Sequence, residues 1–152
     1  MGSYLNPGNK GFQESLNSEI YVDKTGLIEY TNSVLDTTDA YICNSRPRRF
    51  GKSYAANMLA AYYSKGADSE KMFSGLEISK DVNFKRHLNK YDLIHIDIQW
   101  FLANCVEADN VVDFVTDSVL GELRAIYPEA LPPEVSRLPD ALSRIKDRTG
   151  QK

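Results

Sequence analysis

Apolar residues in this chain recur in two rhythms. The first is helical. Ala55, Met58, Leu59 and Tyr62 follow the i, i+3, i+4, i+7 spacing that puts side chains on one helical face, which predicts a helix from near Lys52 to Ser64, ending before Gly66. Val112, Val115, Val119, Leu123 and Ile126 keep the same spacing and predict about four helical turns, broken at Pro128, with Pro132-Pro133 beyond. Leu138, Leu142 and Ile145 mark a last helix, with Pro139 in its first turn, Arg144, Lys146 and Arg148 toward its end, and Gly150 as C-cap. Leu27, Ile28, Val34 and Leu35 predict a shorter helix of about ten residues after the strand-like run Ile20–Val22.

The second rhythm is the short, continuous apolar run. Ala40-Tyr41-Ile42-Cys43 lies between a turn-like Asp36–Asp39 and Asn44-Ser45, as a buried parallel strand would. Leu93, Ile94, Ile96 and Ile98 predict a second buried strand over 92–98, with the Tyr41 strand as its partner. Residues 1–18 are rich in Gly, Asn and Ser, carry the turn signal Pro7-Gly8, and read as an N-terminal arm ahead of a domain over 19–152.

Composition agrees with one folded core. A chain of 152 residues can bury roughly two-thirds of its unfolded surface, and 42% hydrophobic residues with nine Tyr and six Phe exclude a disordered chain. The formal net charge of −3 lacks the basic excess of a dedicated nucleic-acid binder. Cys43 and Cys105 have no ligand-like or disulfide-framework spacing, and no apolar stretch is long enough to span a bilayer or serve as an export signal. A soluble, cytoplasmic protein is expected.

One dense basic cluster remains: Arg46, Arg48, Arg49 and Lys52 fall within seven residues, in the run Arg46-Pro47-Arg48-Arg49-Phe50-Gly51-Lys52-Ser53. A complete phosphate-binding loop reads G-x-x-x-x-G-K-[S/T], with backbone N–H groups and a helix N-terminus cradling the phosphates. Gly51, Lys52 and Ser53 fill the last three positions, while Arg46 stands where the first glycine belongs. Pro47 pushes Arg46 toward extended backbone, so the loop entry differs from the usual one. Lys52 is suited to the β and γ phosphates, Ser53 to Mg²⁺, and Arg48 or Arg49 to charge-assisted phosphate contacts. Strand, loop and helix in this order predict an α/β fold: a P-loop NTPase-like parallel sheet flanked by helices, incomplete at its C-terminus, binding ATP with Mg²⁺.

Three motifs together, Tyr21-Val22-Asp23-Lys24-Thr25, Arg46 to Ser53 and Met72-Phe73-Ser74-Gly75-Leu76, resemble the opening of the AAA-ATPase-like family of bacteria and archaea. The resemblance runs from about Gly11 to the last helix. It implies that Arg46-Pro47-Arg48-Arg49-Phe50-Gly51-Lys52 is the family's usual form of the phosphate loop, and that a PD-(D/E)XK nuclease-like domain often follows. It also implies a strand ending in paired acids after the last helix. That strand is absent before Lys152, so the chain reads as an N-terminal fragment, and the resemblance does not extend to autonomous ATP hydrolysis.

Other residues carry weaker readings. Asp97 ends an apolar run and mimics a metal-coordinating strand acid, but its second acid is missing and a structural strand is the stronger reading. The resemblance weakly suggests that Asp23 and Lys24 contact the nucleotide base or order the loop; an ion pair capping the next helix is the equal alternative. His87 and His95 lack metal-ligand spacing, and Tyr62, Tyr63, Trp100 and Phe101 read as core and rim aromatics. Val112 and Val119 are candidates for self-association. The rival functional reading is a non-catalytic interaction module whose Arg46–Lys52 cluster binds an acidic partner or a nucleic-acid backbone.

Overall fold

The computed structural model describes residues 2–45, 47, 49–105 and 107–150. Among them 53% are helical and 3% lie in isolated bridges, with no sheet. The expected parallel sheet is therefore not present. Residues 40–45 carry no ladder, and Tyr41 is 96% exposed, the reverse of a buried strand. The 92–98 run is cut short: Ile94 makes a single antiparallel bridge with Leu5, not with Tyr41, and by Asp97 the chain has turned into a helix. Ile20 and Val22 are also exposed and outside any strand. Short apolar runs suit helix ends and loops as readily as strands, and without a neighbouring strand none of these forms a ladder.

Among the described residues the four longest helices fall where the periodicity puts them, and four shorter ones form where it marked none. In chain order they are α1 (Lys10–Leu16), α2 (Gly26–Val34), α3 (Lys52–Tyr63), α4 (Glu70–Phe73), α5 (Phe84–His87), α6 (Ile98–Asn104), α7 (Val111–Ile126) and α8 (Leu138–Thr149). Helix α8 ends on Gly150 at φ 65°, the left-handed conformation that glycine adopts without Cβ strain. Helix α1 lies within the stretch read as an extended arm. It forms because Phe12 is buried against Phe73, with ring centroids 4.9 Å apart, and α1 packs along α3.

The chain divides into two compact units, one spanning Asn6–Leu93 and the other joining the first residues through Leu5 to Ile94 and beyond. The Asn6–Leu93 unit is built around α3. Met58, Ala61 and Tyr62 are buried with Phe12, Ile28, Phe73 and Phe84 in one apolar cluster. A hydroxyl network ties α2 to α3: the Asn32 amide donates to the Tyr62 hydroxyl (2.9 Å), Tyr63 donates to Asn32 Oδ1 (2.7 Å), and Tyr62 donates to the Phe84 carbonyl (2.7 Å). Burial raises the pKa of both phenols. The C-terminal turn of α3 is held by Asn89, whose amide reaches the carbonyls of Ala61, Tyr62 and Ser64. With its core face and C-terminal end fixed, α3 presents its N-terminal turn on a rigid support.

The second unit packs Val119, Leu120 and Leu123 of α7 against Leu131, Ala141 and Ile145. Val119 is thus a core residue, whereas Val112 is exposed. Within this unit Glu122 accepts from the backbone N–H groups of Ser3 (2.5 Å), Tyr4 (2.9 Å) and Leu5 (2.8 Å). Burial pushes its pKa up, but these donors outweigh burial and hold it below the ordinary carboxylate value. A carboxyl with a depressed native pKa stabilises the fold above its unfolded pKa of about 4.3, and that contribution is lost as pH falls through the native value. Glu122→Ala is therefore expected to cost about 1–3 kcal/mol at pH 7. It should also flatten the fall of Tm below pH 5, which thermal melts over pH 3–7 would record.

Candidate functional site

The Gly51–Ser53 segment forms the start of α3. Gly51 is the N-cap, at φ 77° and ψ 32°, and has no side chain to offer the amides of the first turn. Arg49 also has a positive φ, 69°, so left-handed residues flank Phe50 on both sides. A left-handed residue followed by helical backbone gathers successive N–H groups on one side, the geometry that receives anions. The 12-residue α3 adds its dipole at the same end. Lys52 and Ser53, its first two residues, are both exposed. Arg46 and Arg48 lie outside the described residues, and Pro47 is exposed.

Lys24 meets this loop. Its ammonium donates to the Phe50 carbonyl at 3.2 Å and stands 2.6 Å from where a Cβ on Gly51 would lie. A side chain at position 51 would thus displace Lys24 as well as strain the backbone. Lys24 is itself fixed by its neighbour. Asp23 accepts from the Thr25 N–H (2.8 Å), the Thr25 hydroxyl (2.7 Å) and the Glu77 N–H (2.8 Å), and the Thr25 hydroxyl accepts from the Ile78 N–H (3.1 Å). Burial pushes the Asp23 pKa up, but the donors from Glu77 and Thr25, with the Lys80 charge, bring it below the ordinary value. Asp23 therefore joins the 21–25 segment to the turn after residues 72–76, and that junction sets Lys24 beside Gly51. Lys24 thus contacts the loop, while Asp23 also bonds to Thr25 at the start of α2.

A cavity of about 360 Å³ opens beside the loop. Gly51, Lys24 and Arg49 line it, together with buried Phe12, Ala55 and Met58 and exposed Ile20, Val22, Phe50 and Tyr54. Tyr21 lines it too, its phenol pushed up to about 12 by burial and then by the Asp23 charge. The sequence reading missed this cavity. Its one available signal was Tyr54, an aromatic off the apolar face of α3 and next to Gly51-Lys52-Ser53.

Asp97 belongs to the other unit and is the N-cap of α6, accepting from the N–H groups of Gln99 (2.9 Å) and Trp100 (3.3 Å). Such a cap satisfies helix donors that otherwise lack partners. His87 shares a 2.5 Å hydrogen bond with the Tyr91 hydroxyl. Among the described residues no cluster of three or more His, Cys, Asp or Glu could hold a metal ion, and no helix is long and apolar enough to cross a membrane.

A family model described as "Predicted AAA-ATPase" matches residues 8–152, a span that takes in the Gly51 loop, the Asp23 segment and the 72–76 motif. No curated protein and no solved structure matches the chain. A family of predicted ATPases is in keeping with nucleotide binding, and with use of a metal, in general terms. With the match covering nearly its whole length, the chain belongs to the AAA-ATPase-like family.

Proposed function

We propose that the Arg46-to-Gly51 run of the sequence and the first turn of α3 bind the phosphates of ATP together with Mg²⁺. The observation that carries this reading is Gly51: a left-handed glycine N-cap, closed from outside by the Lys24 ammonium and followed directly by Lys52 and Ser53. Backbone N–H groups at the start of α3 receive phosphate oxygens, and Lys52 adds its ammonium. Lys24 and Arg49 supply further positive charge, with Arg46 and Arg48 contributing from the same run of sequence. The Ser53 hydroxyl is the described group suited to Mg²⁺, whose remaining ligands are phosphate oxygens and water; the ion there neutralises phosphate charge. Family membership supports the nucleotide, and the geometry of Gly51 supports where it sits.

The reading separates from a plain electrostatic patch by geometry. Lys52→Arg keeps the charge but replaces a compact ammonium with a planar fork. A phosphate cradle is expected to lose about tenfold or more in affinity for a non-hydrolysable ATP analogue in this variant, as read by fluorescence anisotropy. Undiminished binding would show that only the charge matters and would sink the assignment.

A further inference from the structure

The cavity beside Gly51 has a composition that phosphate binding does not explain. Phosphates need N–H groups and cations, yet most of this cavity is apolar, with Phe12 and Met58 buried and Phe50 and Tyr54 exposed to 61% and 56%. Those two rings flank the loop, one just before Gly51 and one in the first turn of α3. At about 360 Å³ the space falls within the range of small-molecule pockets and exceeds what phosphates alone would fill.

We infer that this cavity is the base subsite of the proposed nucleotide site, and that it takes a purine ring by stacking and burial without reading its hydrogen-bonding edge. The inference rests on the phosphate reading above. Three observations carry it. Gly51 and Lys24 line the cavity as well as the loop, so a ligand whose phosphates lie on α3 has its other end there. Exposed aromatic faces gain by covering a planar base, and the gain is similar for every base of the same size. The described lining residues include no carboxylate and no carboxamide; their polar side chains besides Lys24 and Arg49 are the hydroxyls of Ser15, Ser18, Tyr21 and Tyr54, which can donate or accept and so do not set one purine edge against the other.

The test uses the 152-residue chain in titration calorimetry with Mg²⁺ and four probes: non-hydrolysable ATP, GTP and UTP analogues and inorganic tripolyphosphate. The purine analogues are expected to bind at least about tenfold more tightly than tripolyphosphate, within about tenfold of each other, with the pyrimidine weaker than both. Tyr54→Ala removes a half-exposed ring and so leaves the fold intact. It should erase about tenfold of the purine advantage and leave tripolyphosphate unchanged. Tripolyphosphate binding that depends on Lys52 and equals that of the purines would overturn the base subsite while leaving the phosphate reading standing. A preference beyond about tenfold between the two purines would overturn recognition by stacking alone. Binding of no probe, or binding indifferent to Lys52→Ala, would overturn both.

Discussion

Tyr62→Ala is expected to lower the stability of the chain by about 3–5 kcal/mol, much of what holds a typical domain together. Tyr62 is 0% exposed at the centre of the Asn6–Leu93 cluster. Its ring packs against those of Tyr63, Phe73 and Phe84, with centroids 4.8, 5.6 and 5.9 Å away. Truncation opens a cavity among rings too large to refill it, and it strips the Phe84 carbonyl and the Asn32 amide of their partner. Tyr62→Phe separates the two effects. It keeps the ring and removes only the hydroxyl, so its cost is expected to be about 1–3 kcal/mol, that of leaving buried polar groups unsatisfied. Urea denaturation of the three proteins measures both. Equal stability of the alanine variant and the parent would mean that α2, α3 and α5 are not held together as described.

Lys52→Ala is expected to weaken ATP-analogue binding by about 2–3 kcal/mol, or about 30- to 150-fold. The ammonium is removed from the first turn of α3, where helix dipole and loop backbone already favour an anion. Because Lys52 is exposed, its loss should shift Tm little, so the binding defect is separable from unfolding. Salt provides the companion readout. Removal of a cation from the phosphate contacts should leave residual binding less sensitive to ionic strength than that of the parent chain.

Helices α2, α3, α7 and α8 were legible because each carries a periodic apolar face. Ala55 to Tyr62 placed α3 to within a residue, and Val112 to Ile126 placed α7 equally well. The sheet was misread because its evidence was two apolar runs of four to seven residues, a length at which β-branched content does not separate a strand from a loop. Tyr41 and Ile42 are exposed, and Asp97, read as a strand terminus, is instead the residue that starts α6. Helix α1 was missed because its burial rests mainly on Phe12, and one aromatic among polar residues makes no period. At the candidate site, Gly51, Lys52 and Ser53 were readable as a motif. The Asp23–Glu77 bond and the approach of Lys24 to Phe50 were not, since they join residues 54 and 26 positions apart. The resemblance grouped those segments without giving the contact that unites them.

The most direct measurement is titration calorimetry of the unmodified chain with a non-hydrolysable ATP analogue, with and without Mg²⁺, and of Lys52→Ala under the same conditions. Saturable one-to-one binding, strengthened by Mg²⁺ and largely lost in the variant, is the expected result. Failure of the unmodified chain to bind, or binding unchanged in Lys52→Ala, would contradict a nucleotide site at the N-terminus of α3.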